Sequence, residues 1–362
     1  MRLGIGTGAV SNSTFQVPID WQALLALAME QGLYAIVLDG IEKLPTYVRP
    51  PQELLLEWIG ETLQSENIYE MQQKDAARMA GLFQNNGIRT YVLKGSVVAE
   101  CYPIPSHRPS VDMDCFLLPE QGDFDAWGLG NGLIKAQGYE VAFDYYKNST
   151  FYLPDLTVEN HQFFTPFRGN KRLVALEKKL QGLIRQNKGN DKFEGTCLYR
   201  PPVIVTALFL IEHAYSHFLH EGLTWRMVLD WMMFRHKHEK EIDWRQLEAW
   251  IDDFGFRKFY DSYSRLGRYL IGEILVPQDS QARMSDHRPS ASLTFQDKLM
   301  LEDVWAELDV HDTVRGIKGK IALAGNTWRA RWKYKYFSED SMLKALWIQV
   351  KGFLFEKNPQ LD

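Results

Sequence analysis

The stretch LKGSVVAECYPIPSHRPSVDMDCFL, residues 93–117, places a glycine–serine pair ahead of two aspartates separated by one apolar residue. VDMDCFLL has the bounded apolar character of a buried strand, and side chains alternate faces along a strand. Asp112 and Asp114 therefore share one face, with Val111, Met113 and Cys115 on the other. Two carboxylates that close repel one another unless a cation lies between them. Mg²⁺ takes a few carboxylates together with substrate phosphate oxygens, so the pair has the composition of a Mg²⁺–nucleotide site. An isolated D-x-D also occurs in loops and strand ends that hold no metal.

Upstream, a strand over Tyr91–Lys94 feeds a short helix through Gly95-Ser96. Such a junction presents backbone N–H groups and a hydroxyl, which attract phosphate, and glycine lets the anion approach the backbone closely. Lys94 and Arg108 add cationic contacts for the same phosphates. Simple N-capping is the plainer reading of an isolated Gly-Ser. The order G-S, then an apolar strand bearing D-h-D, is much rarer by chance than either element.

Working outward, three zones separate by periodicity. Residues 1–86 read as an N-terminal helical region, with WQALLALAMEQGL, YAIVLDGIEKL and a long run after Pro50-Pro51 at helical spacing. Gly87 suits the end of that run. Residues 87–168 read as a sheet core. IRTYVLK and VDMDCFLL are strands, GSVVAECY and FDAWGLGNGLIKAQ helices, and GYEVAFD, STFYLP and LTVENHQFF three further strands. Residues 169–362 read as a C-terminal helical domain. In KRLVALEKKLQGLIRQ the charges mostly form a solvated face, and QDSQARMSDHRPSAS (278–292) is an exposed loop. The fold class is α+β: a small mixed sheet flanked by N-terminal and C-terminal helical regions.

The formal charge of −5 over 362 residues gives no support for a protein that coats nucleic acid. Three cysteines, Cys101, Cys115 and Cys197, make neither a disulfide framework nor a CxxC pair, which fits a reducing, cytoplasmic setting. The N-terminus lacks a signal-peptide core, and the most apolar stretch, VIVTALFLI (203–211), is too short to span a bilayer. No membrane role is expected. Gly4, Gly6 and Gly8 follow no strand pattern and read as a flexible start rather than a dinucleotide fingerprint.

G-[GS], a spacer, then D-h-[DE]-h resembles the signature of the DNA polymerase β-like nucleotidyltransferase superfamily. The stretch is similar, more closely, to one bacterial branch, the uncharacterised nucleotidyltransferase family. That branch shows LKG, Y-P-x-P and an arginine shortly before D-x-D. Here these are Leu93-Lys94-Gly95, Tyr102-Pro103-Ile104-Pro105, Arg108 and Asp112-Met113-Asp114. The resemblance implies a nucleotidyltransferase sheet and a third carboxylate in an E-x-H pattern, matched by Glu159 and His161 in TVENHQFF. Alternation points both into one cleft. The Trp-Arg that commonly follows the histidine is replaced by Gln162-Phe163.

Farther on, His213, His217 and His220 recur at i, i+4 and i+7 on one helix face. Such spacing can hold Zn²⁺, although the glutamate of an HExxH motif is absent, and packing at a domain interface is the plainer reading. The resemblance covers this segment as a second signature, with His213, His217, Gly222, Arg226, Asp230 and Trp231 matched. It implies a helical domain closing over nucleotide or acceptor, with His213, His217, Arg226 and Asp230 joining His161 among the nucleotide contacts. Arg226 and Asp230 equally suit a plain i, i+4 ion pair. The aromatic–basic tail WRARWKYKYF (328–337) has the look of a nucleic-acid patch, but such stripes commonly lay their stems over a core.

The function expected is Mg²⁺-dependent transfer of a nucleoside monophosphate from an NTP, with ATP as the expected donor, to a hydroxyl-bearing acceptor. That acceptor is a small molecule, a peptide or a protein. Asp112, Asp114 and Glu159 are the expected catalytic residues and the ligands of two Mg²⁺ ions. Lys94, Gly95, Ser96 and Arg108 are the expected phosphate contacts. Two alternatives stand beside this: a non-catalytic nucleotide- or partner-binding protein on the same fold, and a zinc hydrolase built on His213, His217 and Asp230.

Overall fold

Pro50 and Pro51 suit the entry to a helix, and the 33-residue α3 (Gln52–Gln84) begins directly after them. A computed structural model describes residues 1–6, 18–167, 169–186, 191–271, 293–305 and 328–355. Ahead of α3, α1 (Trp21–Glu30) is capped by Asp20, whose carboxylate accepts the Ala23 N–H at 3.0 Å, and α2 (Tyr34–Glu42) follows. Leu25, Ala28, Leu38, Ile41, Leu54 and Trp58 from these three helices form one apolar cluster. Trp58 is fully buried and donates its indole N–H to the Tyr34 carbonyl at 2.8 Å, so its polar atom keeps a partner. A large apolar side chain buried this way contributes about 1.5–3 kcal/mol. Later in α3, Ala76, Met79, Ala80 and Phe83 recur at three- and four-residue spacing and are buried where the helix packs on the sheet.

Gly87, at φ 73°, turns the chain out of α3 into β1 (Ile88–Val92). The other strands are β2 (Asp112–Pro119), β3 (Val141–Tyr145), β4 (Asn148–Tyr152), β5 (Thr157–His161) and β6 (Leu198–Tyr199). They form one sheet in the order β3-β4-β5-β2-β1-β6. Central β2 runs antiparallel to β1 and parallel to β5, and β6 runs parallel to β1, so the sheet is mixed and the fold α+β. Between β1 and β2 lie a one-turn helix, α4 (Ser96–Ala99), and a 3-10 turn at Pro105–His107.

Helix α5 (Ala126–Ala136) covers one sheet face. A Cβ at Gly130 would stand 2.4 Å from a Leu117 methyl, so glycine permits the close approach. The Asn131 side-chain oxygen accepts from Ser149 Oγ at 2.8 Å and from Asn160 Nδ2 at 2.9 Å, tying β4 and β5 to α5. Asn160 on this face sends its neighbours Glu159 and His161 to the other. Asp112 and Asp114 share that second face by the same alternation.

Three sequence expectations need correction here. The sheet has six strands, not five. The sixth, β6, comes from a segment read as wholly helical, because two residues carry no periodicity. Val111 precedes β2 and is 76% exposed rather than packed on the apolar face. The N-terminal glycines are not all part of a loose start: a Cβ on Gly4 would lie 1.9 Å from the Ile36 carbonyl oxygen of α2. Gly8 and the segment 278–292 lie outside the described residues.

The chain divides into two compact units, Met1–Phe164 with Gln181–Thr206, and Thr165–Leu180 with Ala207–Asp362. The second is helical: α8 (Trp225–Lys237), α9 (Trp244–Phe254), α10 (Arg257–Ile271), α11 (Phe295–Trp305), α12 (Arg331–Phe337) and α13 (Met342–Phe355). It also holds the larger parts of α6 (Lys171–Gln186) and α7 (Val203–His220). Thr224 and Asp243 cap α8 and α9, and Gly255 at φ 80° ends α9. Phe218 packs edge-on against Trp332 and Phe337.

Lys333 in the aromatic–basic tail is buried; it donates to the Phe218 carbonyl at 2.7 Å and pairs with Asp303 at 2.6 Å. Its charge therefore points inward. Glu177 departs from the solvated face expected of α6: it is fully buried and accepts the Thr165 N–H at 2.8 Å. Helix α7 as a whole, with 18 residues and mean hydropathy 1.2, is long and apolar enough to cross a membrane, although 203–211 alone is not. Yet 61% of it is buried inside the protein, the behaviour of a core helix.

Candidate active site

The parallel register of β2 and β5 sets Asp114 beside Glu159, Asp112 beside Thr157 and Phe116 beside His161. Neighbouring strands lie about 4.8 Å apart, so the side chains on the face opposite α5 converge. His161 Nε2 stands 3.0 Å from Asp114 Oδ1 and 3.5 Å from Glu159 Oε2. On the far side of the ring, Nδ1 lies 3.0 Å from the Phe163 carbonyl oxygen. A carbonyl only accepts, so Nδ1 carries a proton and donates it. That bond fixes the ring and aims Nε2 at two carboxylates, where a bare lone pair would be repelled. The atom requires a proton or a metal ion.

Burial sharpens this requirement. Asp114 and His161 are each 1% exposed. Lys94 Nζ pairs with the other oxygen of Asp114 at 3.0 Å. Burial alone would lower the Lys94 pKa, but Asp114 and then Asp112 outweigh it and raise it. Burial and the charge of Lys147 push His161 down, and its bonds to Asp114 and Glu159 push it up further, for a net rise. The hydrogen bond from His161 holds Glu159 below the usual glutamate range against the opposing effect of burial. The Glu159 side chain keeps 33% of its surface exposed, whereas that of Asp114 keeps 2%. Cys115 on the opposite face is fully buried, and burial pushes its thiol up, leaving it protonated and inert.

Lys147 was not legible as part of this cluster. It stands in the β3–β4 turn, and its carbonyl accepts the N–H groups of Gln162 at 2.8 Å and Phe163 at 3.0 Å. The antiparallel register of β4 and β5 pairs Asn148 with His161 and so brings Lys147 alongside. Only knowledge of that pairing would have drawn attention to it.

A second group gathers around the β1–α4 junction. Gly95, at φ 70° and ψ −109°, adopts a backbone that side-chain-bearing residues avoid. A narrow cleft there is lined by Gly95, Ser96, Arg108, Ser110 and Asp112, with Gln72 and Gln73 of α3 opposite. Gln73 Nε2 donates to Ser96 Oγ at 3.0 Å, and Gln72 Nε2 donates to the Ser110 carbonyl at 3.1 Å. Ser110 Oγ in turn donates to the Asp112 carbonyl at 2.8 Å, fixing the start of β2. Arg108 is 2% exposed. α4 is a single turn, so its dipole is weak and the loop geometry dominates.

His213, His217, Arg226 and Asp230 belong to the second unit, on α7 and α8. The His213 ring stacks on Phe209 and meets His217 at 4.4 Å between centroids, and His217 Nδ1 pairs with Glu221 at 2.6 Å. His220 differs from both, since its Nδ1 donates to the Ser216 carbonyl at 2.8 Å and burial holds its pKa down. Among the described residues, the group of three or more donors close enough to hold one ion is Asp114, Glu159 and His161, whose ligand atoms lie within 4.8 Å of one another. His213, His217 and Asp230 are not such a group among the described residues.

The donor set fits a divalent cation: two carboxylate oxygens and an imidazole nitrogen oriented from behind by a backbone carbonyl. A family model described as uncharacterised nucleotidyltransferase matches residues 17–272, and the chain belongs to that family. No curated protein and no solved structure matches the chain.

Proposed function

We propose that this family member transfers a nucleoside monophosphate from an NTP, with ATP as the expected donor, to a hydroxyl-bearing small molecule, peptide or protein. The observation that carries this reading is the convergence of Asp114, Glu159 and His161 on one point of the sheet face opposite α5. In the reaction the acceptor oxygen bonds to the α-phosphorus, the bond to the β-phosphate oxygen breaks, and pyrophosphate leaves with those electrons. The acceptor's proton passes to the Glu159 carboxylate. Glu159 suits that role because it is ionised and its side chain is the more exposed of the two paired carboxylates.

Asp112, Asp114 and Glu159 would hold the divalent cations expected for such a site, Mg²⁺ by the chemistry of carboxylates and phosphates. Bound there, they would neutralise the triphosphate and lower the acceptor hydroxyl's pKa. Ser96 and the backbone after Gly95 would receive the β- and γ-phosphates, with Arg108 supplying charge nearby. Lys94 would hold Asp114 in place through their ion pair.

The deciding experiment incubates the protein with each α-³²P-labelled NTP, Mg²⁺ and candidate acceptors. Thermal stabilisation by each unlabelled NTP is measured in parallel, with the Asp112→Ala/Asp114→Ala double variant as control. Label transferred by the wild type and not by the double variant supports the reading. Stabilisation by a nucleotide with no transfer to any acceptor, water included, would instead favour a nucleotide-binding protein without catalysis.

A further inference from the structure

We infer that His161 is a direct metal ligand. The ion held by Asp114 Oδ1, Glu159 Oε2 and His161 Nε2 is then a first-row transition metal of the Mn²⁺ type rather than Mg²⁺. This rests on the nucleotidyltransfer reading for the ion's purpose, but its geometry stands independently.

Three observations converge. The His161 Nδ1 donates to the Phe163 carbonyl, so Nε2 is the ring's other nitrogen, and it faces a carboxylate oxygen of both Asp114 and Glu159. A ring nitrogen tied to a backbone carbonyl behind a ligating nitrogen is the usual way a protein orients a metal-bound histidine. The ring is also rigid: His161 is almost fully buried, and β5 is clamped from the opposite face through Asn160 and Asn131. Finally, the three donor atoms span no more than 4.8 Å.

A neutral imidazole changes which ion is preferred. Mg²⁺ is hard, favours oxygen and keeps much of its water, whereas imidazole nitrogen suits first-row transition ions such as Zn²⁺, Fe²⁺ and Ni²⁺, and Mn²⁺ is the member of that row that shares the oxygen ligands of Mg²⁺. Mn²⁺ accepts carboxylate oxygen, phosphate oxygen and imidazole alike. Asp112 lies two residues from Asp114 and is absent from this three-donor group. It offers only oxygen, so an ion bridging Asp112, Asp114 and a triphosphate would remain of the Mg²⁺ type. The face thus presents two positions of different chemistry, and the nitrogen-bearing one selects its own metal.

The competing arrangement places a proton on Nε2 and makes His161 an imidazolium paired with both carboxylates. The two arrangements are separated by pulsed electron paramagnetic resonance of Mn²⁺ bound to the full chain, with and without a non-hydrolysable ATP analogue. The wild type is used both unlabelled and grown with ¹⁵N-histidine, so the result does not depend on a variant folding. The expected signal is a nitrogen coupling that shifts with the label and is lost in His161→Gln. Mg²⁺ should compete with bound Mn²⁺ only at a concentration about tenfold or more higher, and His161→Gln should weaken Mn²⁺ by about 10–100-fold.

Bound Mn²⁺ that requires Asp114 but shows no histidine nitrogen coupling overturns the inference and leaves the nucleotidyltransfer reading standing. No bound Mn²⁺ in either condition, with Mg²⁺-dependent transfer intact, also overturns it alone. Absence of both metal binding and transfer removes the two together.

Discussion

Asp114 and Glu159 occupy the same register position on parallel neighbours β2 and β5, and His161 Nε2 sits within 3.5 Å of a carboxylate oxygen from each. Parallel pairing lets two carboxylates separated by 45 positions in the chain meet without a turn between them. It also separates the roles of the two aspartates on β2. Asp114 is sealed in with Lys94, whereas Asp112 is half-buried at the head of the strand beside the cleft.

From that difference, Asp112→Asn and Asp114→Asn should diverge. Both should lower nucleotidyl transfer by about 10³-fold or more, since each removes charge worth several kcal/mol to the transition state. Asp112→Asn should leave stability within about 0.5 kcal/mol of wild type. Asp114→Asn deprives a buried lysine of its partner and should cost about 3 kcal/mol. Urea titrations of both variants beside turnover assays test this. Equal stability in the two would mean that the Lys94 pair carries no net energy.

Gly95→Ala should disturb the site without a clash. A Cβ there meets only Ser110 Oγ at 3.6 Å and the Asp112 carbonyl at 3.7 Å, ordinary contacts. The strain lies in φ 70° with ψ −109°, which costs a residue with a side chain about 1–3 kcal/mol. The relaxation moves the backbone between Lys94 and Ser96, so NTP KM should rise. A variant with wild-type stability and KM would show that this backbone conformation matters to neither.

Much of this fold and site is legible in the sequence, for physical reasons that vary with the residue. Strand periodicity placed Asp112 and Asp114 on one face, and the double proline placed the start of α3. The family pattern supplied Glu159 and His161. Lys147 and β6 escaped because their significance depends on which strands become neighbours, and no local pattern states that. Glu177 and Lys333 were hard to place for another reason. Charged residues at helical spacing look solvated until the partners that bury them, Thr165 and Asp303, are known.

The Ser96 hydroxyl is engaged by Gln73 of α3, so under the proposed function an incoming phosphate would compete with Gln73 for it. Ser96→Ala should raise the NTP KM by about tenfold, the loss of roughly one charge-assisted hydrogen bond. Gln73→Ala should leave KM equal to or below that of the wild type, because it frees the hydroxyl. Initial-rate kinetics on both variants decide the matter. If Gln73→Ala raised KM as much as Ser96→Ala does, Gln73 would be a nucleotide contact in its own right.

His107, which belongs to no motif read above, joins three elements and should make stability depend on pH. Its Nδ1 lies 2.9 Å from Asp39 of α2 and its Nε2 2.8 Å from Glu66 of α3. Burial alone would lower its pKa, but the bonds to Asp39 and Glu66 outweigh burial and raise it. A raised folded-state pKa means the imidazolium stabilises the fold. That contribution is complete below the ordinary histidine pKa of about 6.5 and is lost as pH rises through the higher folded-state value. His107→Gln should therefore lie about 1–2 kcal/mol below wild type at acidic pH, a figure reduced for the partial exposure of Glu66. The gap should narrow steadily above neutrality. Urea denaturation of wild type and variant across pH 5.5 to 9, a range of about one unit below and two to three above that reference, measures it. A gap that stays constant over the range would mean that His107 holds its two carboxylates by hydrogen bonding alone, with no charge involved.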